Sequence, residues 1–266
     1  MPRFSANLTM LFTDYPFLDR FERAASAGFK AVEFLFPYAW KPEEIRNRLD
    51  NHGLEIALFN FPPGDWESGE RGIAALPGRE KDFEHSIRLA AHYAEVLNCA
   101  HLHVMAGVPN SNTDQQLVLH TYIENIRRAA DALRDANRMV LLEPLNTTDV
   151  PGYLITAPKQ TIELIAKIDR PNVGLQLDFY QCQMMQGNLA TTFEMYHEHV
   201  KHIQIAGVPG RYEPDVGEIN YPYIFELLDR FSYKGYVGCE YNPRTSTEEG
   251  LGWIAPYLRK PEHRHT

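Results

Sequence analysis

Along these 266 residues, short apolar runs alternate eight times with segments of helical spacing, and that alternation restricts the fold more than any other property of the chain. The runs are Arg3 to Leu8, Ala31 to Phe34, Glu55 to Phe59, His101 to Met105, Met139 to Glu143, Asn172 to Phe179, Val200 to Ile205 and Tyr236 to Glu240. Helical patterns follow them at Pro16 to Ala27, Pro42 to Asn51, Glu80 to Leu97, Tyr122 to Leu133, Pro158 to Ile168, Leu189 to His197, Pro222 to Phe231 and Thr247 to Arg259. The stripe Tyr122, Ile123, Ile126, Ala130, Leu133 shows the spacing that puts apolar residues on one helix face.

Strands that alternate with helices pair in parallel, and parallel strands covered on both faces lose their polar punctuation, as M-V-L-L at 139–142 does. Eight such units close into an α/β (β/α)8 TIM barrel, a single domain over residues 1–260 with a tail at 261–266 that holds H-R-H. An open doubly wound sheet would carry a Gly-rich phosphate loop after an early strand, whereas the segment at Leu8 offers only T-M-L-F-T. The stretch Asn60 to Arg79 has little periodicity and holds Gly64, Gly69, Gly72 and Gly78; with Phe61 and Trp66 in it, it reads as a lid.

Four runs close on an oxygen-bearing side chain just before a turn: Glu143, Asp178, Gln204 and Glu240. Residues i and i+2 of a strand share a face, so Asp178 goes with Gln176, Gln204 with His202, and Glu240 with Gly238. If the other faces pack on helices, all four oxygens point into one interior at the strand ends, where barrels of this kind keep their active sites. Three carboxylates there repel by about 1 kcal/mol per pair in water and about 4 in a protein at 4 Å, a conflict a divalent cation resolves. An all-oxygen donor set favours Mg²⁺ or Mn²⁺ over zinc. The competing structural reading has each carboxylate pair with an Arg or cap a helix.

His103, which shares the inward parity of His101, is a candidate for touching the substrate, and His202 and Glu33 sit inward on their own strands; for such side chains the commoner place is that of a hydrogen-bonded barrel residue. Arg211, just past the seventh strand, is placed to hold a substrate carboxylate with its planar fork, or else to bridge to Glu213 or Asp215 in its own loop. A net charge of −9 without a basic cluster argues against a nucleic-acid partner. No apolar run is long enough to span a bilayer and no signal pattern opens the chain, which suggests a soluble protein. Cys99, Cys182 and Cys239 form no CxxC, so neither a disulfide framework nor a thiolate site is expected and a cytoplasmic setting is the default. A homo-oligomer is compatible with all of this.

A-N-L near the start, V-E-F-L-F-P-Y, N-F-P-P-G-D-W, A-L-P-G-R-E, L-L-E-P-L-N, L-Q-L-D, H-I-Q-I-A, R-x-E-P-D-x-G-E-I-N-Y-P and G-C-E-Y-N-P-R together resemble the hydroxypyruvate isomerase family. That family includes the 2-oxo-tetronate isomerases and belongs to the xylose-isomerase-like barrels. The resemblance spans nearly the whole chain. It implies one divalent metal on Glu143, Asp178, Gln204 and Glu240, with Glu143 and Glu240 doubling as the acid/base pair. Related ketose 3-epimerases usually carry His at the position of Gln204. Relatives commonly read D-x-x-H after the sixth strand where this chain has D-F-Y-Q, so Gln181 takes a place, beside the substrate, that is usually a His.

The implied reaction is aldose–ketose isomerisation of a small 2-oxo acid, hydroxypyruvate or its four-carbon analogue, by proton transfer through an enediolate chelated by the metal. Sugar 3-epimerisation on the same residues is the nearest alternative, and a catalytically silent metabolite-binding barrel is another. The endonuclease branch of the superfamily would want a His-rich multi-zinc site and a basic face, and the chain offers neither.

Overall fold

The computed structural model describes residues 1–258. Its eight strands, β1 (Arg3–Asn7), β2 (Ala31–Phe34), β3 (Glu55–Asn60), β4 (His101–His103), β5 (Met139–Leu142), β6 (Val173–Asp178), β7 (Val200–Ile205) and β8 (Tyr236–Cys239), form a closed barrel in chain order. Every neighbouring pair is parallel, and β1 closes on β8 with Arg3 opposite Tyr236 and Ser5 opposite Gly238. The expected (β/α)8 TIM barrel is therefore the fold.

The helices are α1 (Arg20–Ser26), α2 (Pro42–His52), α3 (Glu80–Leu97), α4 (Gln115–Arg134), α5 (Pro158–Ile168), α6 (Phe179–Met185), α7 (Leu189–Tyr196), α8 (Tyr221–Arg230), α9 (Thr247–Gly250) and α10 (Ala255–Leu258). Strand residues of one parity, such as Leu175, Leu177, Ile203, Ile205, Val237 and Cys239, are fully buried in the apolar cluster between barrel and helices. Full burial of each aliphatic side chain stabilises by about 1.5–3 kcal/mol, enough to fix which face of each strand looks inward.

Several boundaries differ from the sequence reading, each for a local reason. The segment read as one strand through Phe179 stops at Asp178, whose Oδ1 accepts from the Tyr180 amide and caps α6. The fourth strand stops at His103 rather than Met105, because the next residues turn to meet the 60–79 segment: the Ala75 amide donates to the Ala106 carbonyl. Helix α4 starts two turns before Tyr122, capped by Asp114; those turns extend the buried face by Val118, which the exposed Leu117 beside it masks in the sequence pattern. The closing helix is broken into α9, a 3₁₀ turn at Leu251–Trp253 and α10 by Gly250, Gly252 and Pro256. Its last residue Arg259, and the expected tail with H-R-H, lie outside the described residues.

The segment after β3 is anchored rather than loose. Phe61, Ile73, Ala74 and Ala75 are buried, and a side chain on Gly72 would strike the Met105 carbonyl at 2.2 Å. Only the stretch around Trp66, which packs on Phe36 and under Arg71, stands partly free.

Candidate active site

The register carries the site. Asp178 lies opposite Gln204 and Gln204 opposite Gly238, while Glu143 and Glu240 follow the last residues of β5 and β8. All four residues are at most 7 % exposed. One ligand oxygen from each of Glu143, Asp178 and Glu240 lies within 4.8 Å of the others, so the three carboxylates read from the strand ends do converge.

Their environment is unusual for carboxylates. Asp178 spends Oδ1 on the α6 cap, as the structural reading allowed, but Oδ2 has no hydrogen-bond partner; Glu143 Oε1 has none either. Glu240 Oε1 accepts from Asn7 Nδ2 at 3.1 Å, and Oε2 is paired with Arg211. Burial first, and the neighbouring carboxylates after it, hold Glu143 well above its usual range. Burial likewise pushes Asp178 up to about 6 and Glu240 up to about 8, although Arg211 opposes both shifts. Orphaned oxygens, three converging carboxylates and a wholly buried setting fit a divalent cation, which would supply the charge that Arg211 alone does not balance.

Gln204 is placed beside this triad by a shared donor. The Gln176 amide gives one hydrogen bond to Glu143 Oε2 at 3.0 Å and one to Gln204 Oε1 at 2.7 Å. Gln176 therefore orients two of the four expected ligands, a role that its position two residues before Asp178 signalled only as a shared face. Asn7 and Ser5 were not singled out either. The rule that found the other residues, a polar side chain closing a strand, picks out Asn7 once the first strand is ended there rather than at Leu8.

Below the triad Glu33 reaches across the barrel. Gly238 makes the room: a Cβ there would sit 2.3 Å from Glu33 Oε1. The Glu33 carboxylate meets His202 Nε2 at 2.9 Å, and accepts from Ser5 Oγ at 2.6 Å and Gln204 Nε2 at 2.8 Å. Burial alone would raise this carboxyl, but those partners carry it below its usual range. Glu33 and His202 Nε2 thus form a buried pair, while His202 Nδ1 has no hydrogen-bond partner. His101 stands apart from the triad, lining a cavity of about 420 Å³ that also reaches His202, Arg3 and Tyr236.

His103 Nδ1 is 3.5 Å from Glu143 Oε2, and neither ring nitrogen has a hydrogen-bond partner. Burial and then His202 push it down to about 3, so the ring is neutral at physiological pH and can serve as donor or acceptor. Arg211 bridges to neither acid of its own loop; Glu213 is taken by Arg244 at 3.3 Å. Its guanidinium instead pairs with Glu240, lies 3.7 Å from Asp178 Oδ2 and stands 5.0 Å over the Tyr180 ring. The loop that carries it is tight, since a Cβ at Gly207 would meet the Val216 carbonyl, and one at Gly217 the Val208 carbonyl, each at 2.1 Å. Gln181 Oε1 accepts from Asn146 N at 2.8 Å and Asn146 Nδ2 at 2.6 Å, pinning the loop after β5 to α6 and leaving only its own amide nitrogen for a substrate.

These shifts set a pH dependence for the metal-free protein. Acids whose folded values are raised keep protons that the unfolded chain gives up, so each lowers stability as pH climbs from its unfolded value through its folded one. Buried neutral His101 and His103, pushed down to about 4 and about 3, act oppositely, but only up to their unfolded value of 6.5. Between pH 6.5 and about 8 the carboxyl effect stands alone, with Glu240 still titrating. The melting temperature of chelator-treated protein should therefore fall over that interval, and fall less in Glu240→Gln. A flat profile in the unsubstituted protein would contradict the raised acid.

The family model for xylose isomerase-like TIM barrels matches residues 21–257. Over 97% of this chain and 99% of its own length, the 2-oxo-tetronate isomerase of Cupriavidus necator is 49% identical. The chain belongs to the hydroxypyruvate isomerase family of xylose isomerase-like barrels. Its class is that of the isomerases: the hydroxypyruvate isomerase of Escherichia coli is 43% identical over 97% of this chain and all of its own. A crystal structure of a protein from Brucella melitensis described as an AP endonuclease of family 2 is 50% identical and superposes with a TM-score of 0.95 over 97% of this chain and 99% of that one. No helix among the described residues is long and apolar enough to cross a membrane.

Proposed function

We propose that this family member isomerises a small 2-oxo acid, hydroxypyruvate to tartronate semialdehyde or a four-carbon 2-oxo-tetronate, at Glu143, Asp178, Gln204 and Glu240. The observation that carries the reading is the convergence of three buried carboxylates within 4.8 Å, two of them with an unpartnered oxygen. These three and Gln204 would hold one divalent ion, Mg²⁺ or Mn²⁺, which when bound polarises the substrate carbonyl as a Lewis acid.

The chain's own groups do the rest. One of Glu143 and Glu240 takes the proton from the hydroxyl-bearing carbon, and the electron pair left behind forms the enediolate double bond. The other returns a proton to the former carbonyl carbon, while the hydroxyl proton passes between the two oxygens. In the metal-free site burial holds Glu143 well above its usual range and pushes Glu240 up to about 8, so both carboxyls readily hold the proton they must take and give. Neutral His103 beside Glu143 donates to a substrate oxygen, and the Gln181 amide supports it where relatives commonly have His. Arg211 takes the substrate carboxylate.

Epimerisation of a neutral ketose would use the same glutamates but not Arg211, and 43–49% identity to 2-oxo acid isomerases favours the acid. The triad contains no His, and the net charge is −9, both poorly suited to a multi-zinc endonuclease working on DNA. The deciding experiment is a panel of three- to six-carbon 2-oxo acids and ketoses assayed with Mg²⁺ and Mn²⁺, on the unsubstituted protein and on Arg211→Gln. Turnover should be fastest on a 2-oxo acid. The substitution should raise KM for acids by one to two powers of ten and for neutral ketoses much less, a charged hydrogen bond being worth about 1.5–3 kcal/mol. Equal losses for both classes would make Arg211 structural and remove the preference for an acid.

A further inference from the structure

Arg211 stands where a cation is needed. Its guanidinium pairs with Glu240 and approaches Asp178 Oδ2, two of the three carboxylates that converge, while its own Nε has no hydrogen-bond partner. We propose that Arg211 is the site's resident counter-cation, competing with the divalent ion for Asp178 and Glu240, and that binding of the ion releases the guanidinium toward the anionic substrate. This rests on the metal reading above.

The argument is one of shared lone pairs. A carboxylate oxygen that accepts from a guanidinium presents that lone pair to nothing else, and the pairing with Glu240 uses the oxygen that Asn7 leaves free. One guanidinium is shared among three converging carboxyl groups, and a divalent ion brings twice its charge to the same oxygens, so at sufficient concentration the ion displaces it. Once displaced, the guanidinium is repelled by the ion and attracted to a substrate carboxylate, with the Tyr180 face still beneath it. Ion and acid substrate then bind in order, the first preparing the clamp for the second.

Calorimetric titration of Mg²⁺ and Mn²⁺ into the metal-free full chain tests this. The comparison is between unsubstituted protein, Arg211→Gln and Arg211→Asn. Gln keeps most of the length without the charge, and Asn accepts the left-handed backbone of this position, φ 55°, which Gln resists. Both variants should bind the ion about tenfold or more tighter, the effect of removing one like charge from a buried site. Millimolar guanidinium chloride should weaken ion binding to Arg211→Asn and leave the unsubstituted protein almost unchanged. Unchanged or weaker affinity in both variants, with native circular dichroism, would overturn the competition. Binding that depends on Asp178 but not on Arg211 would sink this inference alone; no ion binding in any of the proteins would sink the metal reading and this with it.

Discussion

Replacing Asp178 by Ala should abolish binding of the divalent ion and turnover together, with the barrel still folded. The carboxylate supplies an unpartnered oxygen to the triad from a side chain only 2 % exposed, so nothing nearby can substitute for it. Stability has two opposing terms. Loss of the α6 cap costs about 1 kcal/mol. Removal of a carboxyl whose burial penalises its charge offsets part of that. Asp178→Asn separates the two, because its amide oxygen can still accept from the Tyr180 amide while the charge is gone. Both variants should give no heat on Mg²⁺ or Mn²⁺ titration, and Asn should melt closer to the unsubstituted protein than Ala. Ion affinity equal to that of the unsubstituted protein in either variant would remove Asp178 from the ligand set.

A second large effect should appear in the movement of hydrogen. Glu143 and Glu240 follow β5 and β8 and bring carboxylates to one point, which lets one remove and the other return a proton. Hydride transfer between adjacent carbons needs no protein base and is helped by a second cation, whereas the described residues converge on a single acidic group. Carboxyl protons exchange with water. Turnover in D₂O should therefore place deuterium on the carbon that receives the proton, read by NMR. Glu240→Gln keeps an oxygen for the ion but cannot carry the proton, and its kcat should fall by about 10²- to 10⁴-fold. Product without deuterium, combined with retained activity in Glu240→Gln, would defeat the two-glutamate mechanism.

The barrel was legible in the sequence because its strands are buried on both sides and so announce themselves as unbroken apolar runs. The triad was legible for a related reason: a carboxylate closing such a run has no apolar neighbour to hide behind. The same logic reached Gln204, Glu33 and His202, but not what each one touches. The choice between Arg211 clamping a substrate and bridging Glu213 or Asp215 was open, and its pairing with Glu240 and Asp178 depends on a left-handed backbone turn that side-chain pattern does not encode. Gln176 as a clamp on Glu143 and Gln204, and Gly238 as the space that Glu33 fills, depend on register between strands far apart in the chain. Helix α6 was missed since its first turn, F-Y-Q-C, continues the apolar run of β6 and only the Asp178 cap divides them.

The tightness of the loop that carries Arg211 bears on time as well as on place. With Gly207 and Gly217 pressed against carbonyls across the loop, its backbone has no slack to swing open. Whatever exchange the guanidinium makes between carboxylates and substrate must then come from rotation about its own side-chain bonds, a motion far faster than the microsecond-to-millisecond opening of lids. On this loop the latch is a rotamer rather than a hinge, so its exchange adds no slow step to a catalytic cycle.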